Sequence, residues 1–244
     1  MGSRAFVGVL AGLVVWLTPG PALASPGDLD PSFGKFGIVG GAGGAAKDLE
    51  LLPGGDAVYL SSSVNGSGSS VERVGGAGRL IASYALPESF GAAALAVQPD
   101  GAIVVSGAVG GSAAAVRVRP GGALDPSFGG GGVAVIDIPG SFEIAEDVVV
   151  DEGGRAVLAV AAGSSGAGLY RLDSDGSVDP GFGEPAVPSG LEGRPTKLVL
   201  DPSDGYLLGS GFAEDFQATA QVTRFDGAGE VEAAGPAARS GPRA

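Results

Sequence analysis

The stretch Gly122-Ala123-Leu124-Asp125-Pro126-Ser127-Phe128-Gly129 decides the fold, because near-copies of it recur along the chain. One copy reads Gly27-Asp28-Leu29-Asp30-Pro31-Ser32-Phe33-Gly34, and another reads Gly176-Ser177-Val178-Asp179-Pro180-Gly181-Phe182-Gly183. Asp before Pro favours an extended chain, Pro begins a turn and Gly releases it, so each copy predicts a turn. The repetition predicts four stacked units of roughly fifty residues rather than one irregular domain.

Each unit also contains three short apolar segments that are separated by turns rich in glycine. Such short segments, dense in Val, Leu and Ile, predict strands, and 47 glycines among 244 residues disfavour long helices. The third segment carries an arginine between apolar residues, which is typical of a strand with one face in water. The first segments span 48–52, 94–97, 147–150 and 197–200, the second span 57–61, 102–106, 156–160 and 206–210, and the arginines are Arg73, Arg117, Arg171 and Arg224.

Together with the signature turn, which introduces a fourth strand, this pattern predicts an all-β fold. Four antiparallel strands per repeat are typical of a β-propeller blade, so we predict a β-propeller of about four four-stranded blades over residues 25–232. The units span about 44–90, 91–140, 141–193 and 194–232. Residues 26–40 carry a signature without preceding strands, and we predict that they pair with the last blade and close the ring. If both ends are open instead, a partner chain or self-association must cover them. We predict a disordered tail at 233–244.

The first 24 residues have the pattern of a secretory signal peptide. Arg4 provides a positive charge, residues 5–17 are apolar, and Ala22-Leu23-Ala24 matches a cleavage site with small residues. The apolar segment is too short to cross about 30 Å of hydrocarbon as a helix. We therefore expect an exported protein, periplasmic, envelope-bound or secreted, with no transmembrane helix after cleavage. The absence of cysteine favours a bacterial source over a eukaryotic secretory route.

The second unit carries the sequence Ala94-Leu95-Ala96-Val97-Gln98-Pro99-Asp100-Gly101-Ala102-Ile103-Val104-Val105-Ser106-Gly107, which is followed by Arg117-Val118 and by residues 124–129. These segments resemble the delta-60 repeat, a bacterial propeller-type repeat. The resemblance covers essentially the whole chain after the signal peptide and is strongest in the second and third units. It implies an exported or surface-associated protein, and it implies no catalytic residues because the family has none established.

The composition excludes several classes of function. With no His and no Cys, the chain lacks the residues for nucleophilic triads, thiol chemistry and the usual zinc sites. A net charge of −13 repels phosphate, so we expect no nucleic-acid partner. We predict no enzymatic activity and no cofactor. The repeated acids Asp30, Asp125 and Asp179 are predicted to shape turns, and the Phe of each signature is predicted to pack between neighbouring blades.

One acidic segment leaves an alternative open. Asp173-Ser174-Asp175-Gly176-Ser177-Val178-Asp179 resembles part of an oxygen-rich calcium loop. The segment has no glutamate at the closing position, and the equivalent turns of the other units lack these acids. The pattern therefore favours a solvated turn stabilised by aspartate side chains, with calcium binding as the alternative.

Strand direction places the connections between second and third strands, and those between units, on one face, which we call the loop face. Acids beside aromatic residues on such variable loops indicate a partner surface. The alternative for Phe90 and Phe142 is a place in the core at equivalent positions. The predicted binding residues are Glu88, Phe90, Phe142, Glu143, Glu214, Asp215 and Phe216.

These observations predict a non-enzymatic binding or scaffold protein with a protein or glycan partner. The alternative is carbohydrate recognition at a surface, with a tyrosine as the stacking platform. A third class, a carboxylate-dependent hydrolase or lyase, would need two carboxylates about 5–10 Å apart. The candidate platforms are Tyr59, Tyr84, Tyr170 and Tyr206.

Overall fold

The computed structural model describes residues 27–40, 44–62, 68–138, 142–163, 166–183, 193–214, 217–234 and 238–239. The predicted signal peptide lies outside this part of the chain. Every regular element within it is a strand, as the sequence predicts. The strands are β1 (Ala45–Leu51), β2 (Ala57–Ser62), β3 (Ser69–Val74), β4 (Leu80–Ala85), β5 (Phe90–Val97), β6 (Ile103–Val109), β7 (Ser112–Val118), β8 (Val133–Ile136), β9 (Glu143–Val150), β10 (Ala156–Ala162), β11 (Ala167–Leu172), β12 (Arg194–Asp201), β13 (Gly205–Glu214), β14 (Gln217–Asp226), β15 (Val231–Ala234) and β16 (Ala238–Arg239).

The strands form four antiparallel sheets in chain order. Sheet 1 contains β1–β4, sheet 2 contains β5–β8, and sheet 3 contains β9–β11 among the described residues. Sheet 4 contains β12–β15, and β16 also pairs with β14. Residues 233–234 and 238–239, which the sequence assigned to a disordered tail, therefore belong to strands of sheet 4. In each sheet, consecutive strands are neighbours because a short turn reverses the chain between them.

Successive sheets pack face to face and share three apolar cores, one between each pair. The middle strands of sheets 2 and 3 are buried on both faces, as continuous apolar runs such as Val157–Val160 require. The outer face of sheet 1 instead exposes Leu49, and that of sheet 4 exposes Val222. In the described part of the chain, extensive strand contacts join sheets 1 and 2, 2 and 3, and 3 and 4, with no comparable contact between sheets 4 and 1.

The first strands of the sheets, β1, β5, β9 and β12, also contact one another in succession. The Asp48 carboxylate accepts a hydrogen bond from the backbone N–H of Leu95 at 2.9 Å, which joins sheet 1 to sheet 2. The Asp147 carboxylate accepts one from the backbone N–H of Leu198 at 2.6 Å, which joins sheet 3 to sheet 4. These carboxylates satisfy backbone donors that the first strands would otherwise leave unpaired.

The signature turns connect neighbouring sheets, as the sequence predicts. The ring of Phe128 in sheet 2 packs directly on Gly176 of sheet 3. The guanidinium of Arg117 lies 4.5 Å above the same ring and donates to the carbonyl of Ser174 at 2.6 Å. Because Gly176 has no side chain, the ring and the arginine both reach the next sheet.

The same contact repeats between sheets 3 and 4. The ring of Phe182 packs on Gly229, and the guanidinium of Arg171 lies 4.3 Å above that ring. Sheet 1 lacks the signature, and there the ring of Tyr84 occupies the corresponding place on Gly122 of sheet 2. An aromatic ring on a glycine of the next sheet is therefore common to all three junctions.

The N-terminal signature lies on sheet 1. The backbone N–H of Gly34 donates to the carbonyl of Ala77 at 2.9 Å, in the turn between β3 and β4. The predicted pairing of residues 26–40 with the last blade is not observed, since the bridges of residues 27–40 are internal to that segment. The physical reason is the tight turn at 226–230, which returns β15 along the edge of β14 where residues 26–40 were expected.

Candidate functional site

The repeated signature acids are engaged within the turns and the sheet junctions. Asp125 accepts hydrogen bonds from the Ser127 hydroxyl at 2.7 Å and from Arg117 at 2.9 Å. The Ser127 hydroxyl, with help from Arg119 and Arg117, holds the pKa of Asp125 well below its usual range despite burial. Hydrogen bonding to Arg171 lowers the pKa of Asp179 in the same way. These acids are ionised and paired, which fits a structural role.

The acidic segment 173–179 forms the predicted turn. Asp175 accepts hydrogen bonds from the backbone N–H of Ser177 at 3.0 Å and from its hydroxyl at 2.6 Å. Asp179 faces Arg171 instead, at 2.6 Å. Within the residues that the structure describes, no three acidic side chains are grouped in a way that could hold a metal ion.

The structure separates the predicted binding residues into exposed and buried groups. Glu88 and Phe142 are exposed on the loop face, whereas Phe90 and Glu143 are 2% and 1% exposed and lie in the core. Strand pairing explains the difference. Phe90 pairs with Val109, the last residue of β6, and Glu143 pairs with Ala162, the last residue of β10, so the two occupy the same place in their sheets. Phe90 is therefore equivalent to Glu143 rather than to Phe142. Glu214 lies in β13, and Asp215 and Phe216 lie outside the described residues.

None of the four tyrosines presents an exposed ring. Tyr170 and Tyr206 are buried, and Tyr59 and Tyr84 are half-buried. The ring of Tyr206 meets that of Phe182 edge-on, with 5.6 Å between their centroids. Carbohydrate stacking on a tyrosine platform therefore has no support in the described structure.

Phe142 lies instead at the edge of a cleft on the loop face, between sheets 3 and 4. The ring is 69% exposed, and one side of it packs against Gly111 in the hairpin between β6 and β7. The cleft has a volume of about 460 Å³. Its lining consists of Phe142, Ile144, Glu146, Ala161, Gly163, Gly166, Gly193 and Arg194. An exposed aromatic ring above an open, glycine-lined cleft is a surface that an apolar group of a partner can fill.

One ion pair crosses this cleft. The Arg194 guanidinium of sheet 4 hydrogen-bonds to the Glu146 carboxylate of sheet 3, and the bond raises the pKa of the arginine. Arg194 is largely exposed, so its remaining donors are open to a ligand. Sequence reasoning missed Ile144, Glu146 and Arg194. The signal in the sequence was the cluster of acids and apolar residues at 142–146, in which alternate residues from Phe142 onward, rather than Phe142 and its neighbour Glu143, face the cleft.

Clefts on the opposite face have a different character. They lie between sheets 2 and 3 and between sheets 3 and 4, and arginines and acids line both. Their charges pair with one another, as Arg117 does with Asp125 at 2.8 Å and Arg155 with Asp151 at 2.9 Å. The charged side chains on this face therefore hold neighbouring sheets together. The cleft at Phe142 on the loop face is the better candidate for a binding site.

A third group of charges lies on the first strands. Burial raises the pKa of Glu50, and the neighbouring charges of Asp48 and Asp147 raise it further. Lys197 of β12 opposes that rise. Charges from sheets 1, 3 and 4 thus act on one carboxylate, so the first strands of these sheets face a common space.

Comparison with known proteins identifies the architecture. A family model described as a domain of unknown function (DUF5122) β-propeller matches residues 98–128 and 153–182. The fold is a β-propeller fold. Both matched stretches end at a signature Phe and include the arginine that lies above it. The repeating junction is thus the part of the chain that carries the family likeness.

Solved structures of similar fold have varied functions. The Dos1 propeller is 15% identical with a TM-score of 0.52, and the alignment covers 81% of this chain and 47% of that one. An auxiliary nutrient binding protein from Bacteroides ovatus is 17% identical with a TM-score of 0.51, over 81% and 48% of the two chains. Virginiamycin B lyase from Staphylococcus aureus is 14% identical with a TM-score of 0.50, over 76% and 57%.

This chain spans about half the length of these structures. No curated protein matches the sequence. The described residues contain no helix of the length and apolar character that crossing a membrane requires.

Proposed function

We propose that this chain is an exported, non-enzymatic β-propeller protein of the bacterial envelope or the extracellular space, whose four sheets are blades of the delta-60 type. We further propose that it binds a protein partner in the cleft at Phe142. The single observation that carries the binding site is the Phe142 ring, which stays 69% exposed beside an open cleft. The signal-like first 24 residues support export.

The chemistry of the cleft suits a partner side chain that is apolar with a polar end. Phe142 and Ile144 provide an apolar wall, and burial of an aromatic ring contributes strongly to protein interfaces. Arg194 can donate to a carbonyl or carboxylate of the partner while it remains bonded to Glu146. Carbohydrate binding is the second candidate, because an aromatic ring beside a charged pair can also hold a sugar.

The acids of the junctions support a non-enzymatic role. Asp125 and Asp179 are each held by an arginine, and Asp201 accepts from Arg224 at 2.7 Å. A carboxylate that acts as a general acid or base needs a pKa near the working pH, whereas the pKa values of these three are lowered.

The test compares the wild-type chain with Phe142→Ala and with Val135→Ala, a control that truncates another exposed apolar side chain, 50% exposed on β8. Each chain is immobilised and exposed to envelope extract and to a glycan array. We expect a protein that the wild type and Val135→Ala retain and Phe142→Ala loses, with direct binding confirmed using the purified partner. A glycan with the same dependence would favour the second candidate. Retention that is equal in all three chains would contradict the site.

A further inference from the structure

The N-terminal signature turn (residues 29–38) is built like its counterpart in sheet 2. Asp30 accepts hydrogen bonds from Ser32 N–H at 2.9 Å and from the Ser32 hydroxyl at 2.6 Å. Asp125 accepts the same pair from Ser127 at 3.1 and 2.7 Å. In both turns, the glycine after the Phe donates to a turn of the following sheet. The N-terminal turn therefore has the conformation of a junction.

It lacks the arginine of a junction. In sheet 2, Arg117 bonds to the signature Asp and lies above the signature Phe. Among the described residues, the Asp30 carboxylate accepts hydrogen bonds from Ser32 alone and is exposed, and Phe33 has no guanidinium above its ring. The apolar residues that flank the turn are exposed as well, Leu29 by 61% and Ile38 by 59%. Their counterparts, Leu124 and Val133, pack against a core.

Sheet 4 has the arginine that the N-terminal turn lacks. Arg224 on β14 occupies the position of Arg117 and Arg171, and its side chain bonds to Asp201 and is 40% exposed. The turn that follows, at 226–230, contains no signature. Sheet 1 has a turn of the same kind and uses Tyr84 of its fourth strand at its junction, whereas the fourth strand of sheet 4, Val231–Ala234, contains no aromatic residue. Sheet 4 therefore brings an arginine to its outer face, and its fourth strand offers no aromatic ring to pack beside that arginine.

The charges and the apolar character of the two surfaces also match. On the outer face of sheet 4, Val199 and Val222 are 42% and 59% exposed, and Lys197 and Arg224 share that face by register. The N-terminal turn offers Asp30 between exposed apolar residues. Lys197 is bonded to Asp147 of sheet 3, so Arg224, which is bonded to Asp201 and partly exposed, is the cation that this face offers to Asp30. Contact between the exposed apolar side chains of the two surfaces would exclude water.

We propose that the N-terminal turn of one copy of this chain docks on the outer face of sheet 4 of a second copy, with Arg224 of the second copy bonded to Asp30 and stacked on Phe33. Two copies then form a closed pair with two identical junctions. Each junction then brings an arginine to a signature Asp and Phe, as Arg117 meets Asp125 and Phe128 inside one chain. This inference does not depend on the partner cleft at Phe142.

A second copy fits this contact better than the same chain. The N-terminal turn is held on sheet 1 through Gly34 and Ala77, and in the described residues no extensive strand contact joins sheet 4 to sheet 1.

The test is a charge exchange followed by mass measurement of the full chain, by light scattering and sedimentation. Asp30→Arg places two cations at the contact, and Arg224→Asp places two acids there. We expect the wild type to have the mass of two copies and each variant the mass of one. An equal mixture of the two variants should return to the mass of two, because both junctions of the mixed pair are then complementary. Glu152→Arg, the same charge reversal at an exposed turn residue of sheet 3, should leave the pair intact.

Arg224→Asp also removes the bond to Asp201, so Val222→Glu serves as a second variant on the same face without disturbing that bond. It should also halve the mass. A wild type with the mass of one copy overturns the proposal, and lower thermal stability in both single variants, restored in the double variant, would then place the contact within one chain. A pair that survives all substitutions, or larger assemblies, would overturn the closed pair.

Discussion

Gly176 lies directly beneath the ring of Phe128, where sheet 2 meets sheet 3. Its φ is +83°, and an added Cβ would lie 2.7 Å from the backbone nitrogen of Gly129 and 3.1 Å from the ring. Gly176→Ala therefore combines backbone strain of about 1–2 kcal/mol with an overlap that costs about 1–3 kcal/mol more. Urea unfolding at equilibrium measures the sum as a loss of unfolding free energy.

Gly131→Ala separates these two contributions. Gly131 has a similar φ of +72°, but an added Cβ would meet no atom within 4 Å. We expect this variant to lose only the strain of about 1–2 kcal/mol. Equal losses in both variants would show that the close approach of the Phe128 ring to Gly176 does not matter.

Asp125 makes the stability of the same junction depend on pH. Its pKa is lower in the folded chain than the usual 3.8, so the ionised acid contributes stability above about pH 4, which is lost as the pH falls toward the folded pKa. Asp125→Asn should cost about 3–5 kcal/mol at neutral pH, because Arg117 remains buried without its counterion. Thermal unfolding at several pH values should show that the difference between wild type and variant narrows in acid.

The matched variant is Glu152→Gln, which removes an exposed acid from a turn of sheet 3. It should unfold like the wild type across the same pH range. A constant difference between wild type and Asp125→Asn down to acid pH would contradict the assignment of Asp125 as the ionised partner of Arg117.

At the scale of elements, the Tyr84 ring fills the junction between sheets 1 and 2 in the way that the Phe128 ring fills the junction between sheets 2 and 3. The ring packs on Gly122. A hydrogen bond to Asp56 and a smaller effect of the Tyr84 hydroxyl raise the pKa of Arg73. Tyr84→Ala should cost about 2 kcal/mol, less than the 3–5 kcal/mol typical of a fully buried ring, because Tyr84 is half-buried.

Tyr84→Phe is the control, since it keeps the ring and removes only the hydroxyl. It should retain nearly all the stability in the same urea titration. A loss as large as that of Tyr84→Ala would assign the junction to the hydroxyl rather than to the ring.

The first strands show why sequence alone located the loop face but misplaced its residues. Phe90 and Phe142 look equivalent in sequence, yet pairing aligns Phe90 with Glu143. Alternate residues of a strand face opposite sides, so a shift of one residue turns Phe142 outward and Glu143 into the core. Both first strands have their bulge after the third residue, so the bulge does not cause the difference. The separation from Phe142 to the next turn, which begins at Asp151, is one residue longer than that from Phe90 to the turn that begins at Gln98.

At the scale of the whole molecule, the sequence predicted the features that recur in each unit, and it did not predict the placement of the N-terminal segment, which occurs once. The turns around Asp125 and Asp179 recur with their arginines, so strands, sheets and junction rings follow from the pattern. The place of residues 27–40 depends on their contact with Ala77 and Gly78 in one turn of sheet 1 and on the edge that β15 occupies. Neither leaves a periodic signal, because both depend on packing between distant segments.

The common space between the first strands gives a test of the arrangement of sheets 1 and 4. Burial, Asp48 and Asp147 raise the pKa of Glu50, and Lys197 of sheet 4 opposes that rise. Removing this cation with Lys197→Gln should therefore raise the pKa of Glu50 further, so that its carboxylate takes up a proton at higher pH. Carbon-detected NMR titration of the Glu50 carboxyl follows this directly. Lys35→Gln, which removes an exposed cation from the N-terminal turn, should leave the titration unchanged. A Glu50 titration that is insensitive to Lys197→Gln would mean that Glu50 of sheet 1 and Lys197 of sheet 4 are too far apart to interact. The first strands of sheets 1 and 4 would then have to be farther apart than in this structure.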